Sequence, residues 1–511
     1  VHADVIVVGA GASGSVLAAR LSEDSARRVI LLEAGDAPAS LDAFPPGLLN
    51  AGTVEAAMPG HPQNWSYPAK LMADRDYSLA RGRILGGSMT INGGYFVRAR
   101  REDFDRWSAG GNTAWEWDRA LEFYRQLETD LDCGDTVTHG GSGPMLVRRP
   151  PQNDAVTMAF FGAALSLGFA REVDKNDQGA PGIGAVPMDV VDGVRGNPGT
   201  AYVLPALHRD NLEVRGGSRV LRVVFDGSRA IGVEVLAGGE TTVVHAPEIV
   251  LCAGSIATPH LLLLSGVGDR EALSSLGIEV IAHHPGVGAH FSDHPQITVQ
   301  WKARPGVIDL GLPRTMASVL AATSPDSEVP GDLEILPMLK PTTALMNLPA
   351  AVDDVLDVFV ALQAPASRGR IRLASADPFT PPLIEHNYLV EETDRRRMRY
   401  AVRLAARLLD TDEFVAVSAG RVGLDDEVLA NDDALDAWIA ASIGTSLHGC
   451  GSAAFGTMDA VVDQHGSVLG VDGLRVADTS ILPTVPLRGP AATAVLIGEL
   501  VAAQMRREHR E

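Results

Sequence analysis

The chain has 511 residues, of which 46% are hydrophobic and 21% charged, and a formal charge of −21. It is too long for a single hydrophobic core, so at least two domains are expected. The acidic surplus argues against nucleic-acid partners, which need basic clusters, and no apolar run approaches the ~20 residues of a membrane-spanning helix.

The opening stretch reads as strand, glycine turn, helix and strand. Val5-Ile6-Val7-Val8 leads into Gly9-Ala10-Gly11-Ala12-Ser13-Gly14, an amphipathic segment from Ser15 to Leu21, and a second apolar run, Val29 to Leu32. Gly9 permits a sharp turn, Gly11 lets a pyrophosphate approach the backbone, and Gly14 lets the helix pack on the strand. The free N–H groups of the helix N-terminus favour phosphate. Glu33 follows about 20 residues on, where an acid accepts ribose hydroxyls. These residues point to a dinucleotide.

Residues 36–80 lack clear periodicity and are expected to be a long surface excursion. The glycine-dense run from Arg81 to Gly94 suggests a second close approach of backbone to ligand. A helical region is expected over 102–130, with Phe104, Trp107, Trp115, Trp117, Leu121 and Tyr124 in the core. Another helix is expected over 155–168, and a loop over 174–199. Strands are expected at 212–215, 220–225, 231–236 and 249–252, the last running into Ala253-Gly254 and a helix through Leu264. From about 295 to 445, alternating runs at 332–339, 358–362 and 370–373 suggest a separate sheet flanked by helices at 391–409 and 427–441. A short strand at 474–478 and a final helix, 491–508, return the chain to its first sheet.

Cys133, Cys252 and Cys450 are odd in number and form neither a CxxC pair nor a zinc spacing. No metal site is expected, and a reducing compartment is. No signal-type leader precedes the first strand, so the expected location is cytoplasmic, with peripheral membrane association left open. His283, His284 and His290 read as loop residues, His294 as packing at a strand start, and Cys450 as a buried filler.

Along nearly its whole length the chain resembles the glucose–methanol–choline (GMC) oxidoreductases, flavoenzymes that bind FAD. Four ordered blocks carry the resemblance: the opening turn with Glu33-Ala34-Gly35; Gly82 to Gly93; Gly254 to Gly268 with Val287-Gly288 and Asp293-His294-Pro295; and His448 to Ser452 with Gly473 to Asp478, Leu482-Pro483-Thr484 and Ile497-Gly498-Glu499. It implies an α/β (α+β overall) fold, with a Rossmann-like FAD-binding domain and a substrate domain built on an antiparallel sheet. The expected division is 1–150, 196–292 and 447–511 for FAD, and 151–195 and 293–446 for substrate. It also implies that Gly9, Gly11, Gly14 and Glu33 hold the ADP half. Arg83, Gly87, Asn92 and Ala253 would lie along the pyrophosphate and flavin, Val220 beside the adenine, and Asp478 near the ribityl chain. Some relatives attach flavin through a His before the Asn of the second block; Ile91 stands there, so FAD is expected to be non-covalent. Within the family the chain looks most like the members associated with mycofactocin, on Ile91 to Phe96, Glu128 to Asp132, Gly451-Ser452-Ala453 and Arg488-Gly489-Pro490. Those members reoxidise mycofactocinol.

Alcohol oxidation by a flavin needs a base near neutrality and a hydride acceptor. His448 lies in the catalytic block of the resembled family and is the expected base. The family's second His or Asn aligns with Ala491, which has no polar side chain. The expected activity is therefore FAD-dependent oxidation of a small-molecule alcohol, a mycofactocinol-type donor included, with dioxygen or a respiratory carrier as acceptor. Two alternatives remain: a hydroxynitrile-lyase-like enzyme without net redox, and a flavin binder impaired by Ala491.

Overall fold

The structure is a computed structural model and describes residues 3–348 and 354–510. Its first layer is a five-stranded parallel sheet in the order Leu212–Arg215, Val29–Leu32, Val5–Val8, Glu248–Leu251, Leu474–Val476. The three central strands are apolar throughout except for Glu248 at the start of one, because helices and loops cover both faces, as parallel sheets require. The first helix, Ala12–Leu21, lies against the last, Ala491–Glu508. Gly498 makes this possible: a Cβ there would stand 2.6 Å from Ser13 O. Arg20 pairs with the nearly buried Glu499 at 2.9 Å, and Tyr202 donates to the same carboxylate.

The second layer is a seven-stranded antiparallel sheet. Pro295–Ala303, Val355–Leu362, Leu333–Pro337 and Ser318–Ala322 form its middle, and Ser418–Val422, Ile443–Thr445 and Ile183–Ala185 flank them. Helix Glu392–Leu409 packs on one face with Ala155–Ser166 beside it. Strand alternation sorts the side chains. Leu333 and Ile335 enter the core under these helices, while Glu334 and Leu336 point to the opposite face. Among the described residues no helix is long and apolar enough to cross a membrane.

Several expectations fail locally. The stretch 36–80 contains a hairpin, Asn64–Met72 with Arg75–Gly82. Its alternation is present in Trp65, Tyr67, Ala69 and Leu71, but Pro68 in the run masks it. The strand Arg370–Arg372 does not join the antiparallel sheet; it pairs with Leu383–Glu385, which pairs with the hairpin. This four-stranded sheet therefore joins segments from the two expected parts. The region 102–130 is two helices, Arg101–Ser108 and Trp117–Leu127, broken where Gly110 and Gly111 adopt φ of 74° and 97°. Its predicted aromatics are buried, and Leu121 packs at the margin. The expected loop 174–199 supplies the edge strand Ile183–Ala185.

A buried ionic cluster ties this region together. His139 contacts Glu128 (3.1 Å) and Asp130 (3.0 Å) through Nδ1, and Asp174 (2.7 Å) through Nε2. Arg149 spans Asp130 and Asp174, and Arg98 donates to Glu128. Asp130, Cys133 and His139 bring ligand-type atoms within 4.8 Å of one another. The ring nitrogens and carboxylates are already committed to one another and to the arginines. Burial alone would lower the His139 pKa; the hydrogen bonds to Asp130, Asp174 and Glu128 outweigh it and hold the pKa at about 11. Its charge therefore stabilises the fold fully below the unfolded value near 6.5, and that contribution is lost as pH rises through about 11. His139→Ala is expected to lower unfolding free energy by about 3–5 kcal/mol at pH 7, because two arginines are then left to balance three carboxylates of the cluster. Denaturant titration should show the gap from wild type narrowing as pH nears 11.

Candidate active site

The carboxyl ends of the parallel strands, where α/β sheets bind ligands, open into a cavity of about 640 Å³ that extends to the free face of the antiparallel sheet. Of the predicted residues, Gly9, Gly11, Glu33, Gly87, Asn92, Val220, Ala253, His448, Asp478 and Ala491 line it. Gly14 and Arg83 do not.

The glycines divide by what would obstruct a side chain. At Gly9, with φ of 98°, a Cβ would meet Cys252 O at 2.6 Å. At Gly14 it would meet Gly9 O at 2.0 Å, so this residue serves helix packing and not the cavity wall. At Gly87 it would meet Gly11 Cα at 2.7 Å, so the second glycine block is pressed onto the first. At Gly11, which lines the cavity, the nearest atom beyond its chain neighbours would be 4.0 Å away, so a side chain there meets no protein obstruction. The first helix has no side-chain cap, leaving its N-terminal N–H groups free for an anion.

The carboxylates are less free than the sequence suggests. Glu33 accepts from Ala10 N (3.0 Å) and Gly35 N (2.8 Å), and burial raises its pKa. Asp478 accepts from Thr258 Oγ1, Gly254 N and Ser480 N, and so fastens the end of strand Leu474–Val476 to helix Gly254–Leu264. Asn92 accepts from Gly94 N. Arg83 stands over Trp65, 5.2 Å from the ring centroid. Arg219 lies against Trp65 (5.2 Å) and Phe379 (4.9 Å). Trp65, Arg219 and Phe379 all line the cavity and were not singled out from the sequence; the alternation at Trp65 and Tyr67 was the available signal.

His448 sits where the glycine turns meet the sheet face. The preceding residue, Leu447, has φ of 62°, a left-handed conformation that costs a branched residue roughly 1–2 kcal/mol. The surroundings hold it there: Arg81 donates to Leu447 O, and Thr445 Oγ1 accepts from Leu447 N. Asp293 Oδ1 accepts from both His448 N and His294 N at 2.7 Å, while Oδ2 accepts from Thr445 Oγ1 and lies 3.3 Å from His386 Nε2. Against the pull of burial, these histidines hold the Asp293 carboxyl well below its usual range. Burial lowers the His448 pKa to about 4, with Arg81 adding to the effect and Asp293 opposing it. His294 does precede a strand, as expected, but its Nδ1 also lies 2.9 Å from His448 Nδ1. Cys450 is buried and its thiol donates to His448 O.

Ala491 opens the last helix and lines the cavity, but the backbone that looks onto His448 belongs to Gly489. A Cβ there would lie 3.1 Å from His448 Nε2 and 3.1 Å from the Tyr95 ring. Asp103 anchors this loop through Leu487 N, and Trp107 anchors it through Thr484. Beyond lies a chamber walled by Met316, Leu336, Met338, Leu345 and Phe359. One polar pair faces it: Tyr95 donates to the buried Glu334 at 2.7 Å. Burial raises the Glu334 pKa, and the buried Arg488 guanidinium pulls it down.

A glycine-lined cavity at the carboxyl ends of the parallel strands faces a histidine and an apolar chamber, an arrangement that fits a flavoenzyme, and the chain belongs to the GMC oxidoreductase family. The family's N-terminal pattern matches residues 3–296 and its C-terminal pattern residues 365–498. The chain is 39% identical over 507 residues to an uncharacterised GMC-type oxidoreductase of Rhodococcus erythropolis, covering 98% of each. It is 32% identical over 529 residues to the oxygen-dependent choline dehydrogenase of Rhizobium etli, covering 98% of this chain and 95% of that one. Among solved structures, pyridoxine 4-oxidase from Mesorbium loti matches with a TM-score of 0.90 at 28% identity, over 99% of both chains. The chain is an FAD-dependent oxidoreductase of alcohol-type donors, with a Rossmann-type FAD-binding fold as expected.

Proposed function

We propose that this chain oxidises a small alcohol with His448 as general base. The observation that carries this reading is that His448 Nε2 opens on the cavity where the glycine cradle meets the apolar chamber, while Nδ1 is engaged inside the protein. FAD, when bound, supplies the hydride acceptor at N5. The chain would do the rest. Gly9, Gly11, Glu33 and the backbone at Val220 would seat the ADP half, with Gly14 holding the helix in place. Gly87, Asn92, Ala253 and the Asp478 turn would flank the pyrophosphate and flavin. His448 Nε2 would take the hydroxyl proton, and the Met- and Phe-lined walls would exclude water. The parallel-sheet part would serve the cofactor and the antiparallel-sheet part the donor.

The buried hydrocarbon of Ile91 offers no atom for attachment, which supports non-covalent FAD; acid precipitation should release all the flavin into the supernatant. A mycofactocinol-type donor fits the sequence blocks named above. Anaerobic mixing with candidate donors tests the function: the flavin should bleach as the donor is oxidised. A lyase would form product while the flavin stays yellow. Reoxidation by dioxygen or by a quinone-type carrier then identifies the acceptor.

Gly489 and Ala491 should differ in this assay. Gly489→Ala pushes a methyl against the His448 and Tyr95 rings and is expected to slow flavin reduction on the order of 10- to 100-fold. Ala491→Gly should stay within about threefold, since it removes no polar group. Equal losses at both positions would contradict the geometry.

A further inference from the structure

One row across the free face of the antiparallel sheet is polar at both ends. Three neighbouring strands place Gln296, Ala361 and Glu334 side by side: Ala361 is in register with Gln296 on one side and with Glu334 on the other. All three line the cavity, while Ile297, Val360 and Ile335 enter the core on the opposite face. The adjacent pair, Leu336 and Phe359, is hydrocarbon. Neighbouring strands lie about 4.8 Å apart, so Gln296 and Glu334 stand about 10 Å apart across a floor made by the Ala361 methyl. Each end keeps one polar atom for the cavity. Glu334 Oε2 accepts from Tyr95, and among the described residues no donor reaches Oε1. Gln296 Oε1 accepts from Ser446 at 3.0 Å, and no acceptor among the described residues takes Nε2. Neither free atom is closed off by protein, so both open on the cavity their residues line.

The row runs away from the imidazole. Ser446, which holds Gln296, stands two residues before His448 and lines the same cavity. At the far end Tyr95 joins the two sites: its ring lies beside the point of Gly489 that faces His448, and its hydroxyl rests on Glu334. The charge of Glu334 is answered from inside the protein. Lys175 is paired with Glu172, which leaves the wholly buried Arg488 guanidinium to balance Glu334, and none of these three lines the cavity. A free acceptor at one end and a free donor at the other suit two hydroxyls, which can each give and take a hydrogen bond; an ammonium group could satisfy Glu334 alone. We propose that Glu334, with Gln296 across Ala361, is a specificity-determining subsite for a second hydroxyl of the donor, so that a neutral diol is preferred to a simple alcohol. The far hydroxyl donates to Glu334 Oε1, and the oxygen nearer His448 accepts from Gln296 Nε2. The assignment rests on the proposed alcohol oxidation for the hydroxyl that reacts and adds what holds the other end.

The test compares a series of linear α,ω-diols with the monoalcohols of equal carbon number. Two readouts are taken: anaerobic stopped-flow reduction of the wild-type flavin, and calorimetric titration of His448→Ala holoenzyme, in which binding is read without turnover. At the length that spans the row, the diol should surpass its monoalcohol on the order of 10-fold in kcat/KM and in affinity, as expected for a hydrogen bond to a charged group. Glu334→Leu removes the acceptor and should bring that ratio to about one, with flavin content retained. A wild-type ratio of about one at every length overturns the proposal, as does a ratio undiminished in Glu334→Leu. An ω-amino alcohol favoured over the diol of equal length overturns it too, since the site would then select a cation. If Glu334→Leu does not fold, Ala361→Leu keeps the carboxylate and fills the floor of the row; its ratio should fall in the same way, and an undiminished ratio there overturns the proposal. The calorimetric readout needs no chemistry. A flavin that no alcohol reduces would therefore end the proposed oxidation, and affinity alone would still decide the subsite.

Discussion

In His448→Ala, a donor that bleaches the wild-type flavin is expected to leave it oxidised over the same interval. Loss of a positioned base lowers the rate by about 10²–10⁴. Flavin content should be unchanged, because the cradle is built from other segments: the two glycine turns and the helix Gly254–Leu264. The pH dependence follows from the buried imidazole. Its pKa is lowered to about 4, so the neutral, proton-accepting form prevails above that value. The rate constant for reduction should be flat from about pH 8 to pH 5 and fall as pH drops through 4. A base with an ordinary exposed pKa would instead lose activity near 6.5. Stopped-flow absorbance of the flavin across this range separates the two.

Gly14→Ala and Gly11→Ala should fail in different ways. A methyl at Gly14 would lie 2.0 Å from Gly9 O and 2.9 Å from the Cys252 side chain. The helix must then move off the sheet, a strain of roughly 1–3 kcal/mol or more, and both thermal stability and bound FAD should be lost. A methyl at Gly11 meets no protein atom nearer than 4.0 Å, so the apoprotein should unfold at nearly the wild-type temperature. Because Gly11 lines the cavity, the methyl should nonetheless exclude the cofactor. The checks are calorimetry of apoprotein and the ratio of flavin to protein absorbance. Equal destabilisation of the two apoproteins would contradict the division of labour among the glycines.

The parts of this molecule legible in the sequence are those whose residues act locally. The turn from Gly9 to Gly14 is constrained by contacts with adjacent strands, so its spacing carries its geometry. The strand Leu212–Arg215 and the helices Ala155–Ser166 and Ala491–Glu508 were readable from short-range pattern. What escaped depends on long-range placement. His294 and His448 are separated by 154 positions, and nothing in either neighbourhood announces that their rings touch. Glu334 sits in the strand Leu333–Pro337, whose two faces are both buried, and the alternation over 332–339 predicts the strand without showing that the acid lines a chamber. Gly489, in the loop before the last helix, and Ala491, the first residue of that helix, are two positions apart, and only the folded arrangement shows that Gly489 faces the imidazole.

The parallel sheet takes its first strand from Val5–Val8 and its last from Leu474–Val476, and the closing helix covers the opening one. A ribosome working at roughly 5–20 residues per second leaves the early strands without their final neighbour for about half a minute or longer. Nascent chains and truncated products therefore have no finished coenzyme cradle, and their apolar surfaces are open to aggregation. Coenzyme capture should be a late event in biogenesis, and cellular yield should respond to chaperone supply more than to flavin supply.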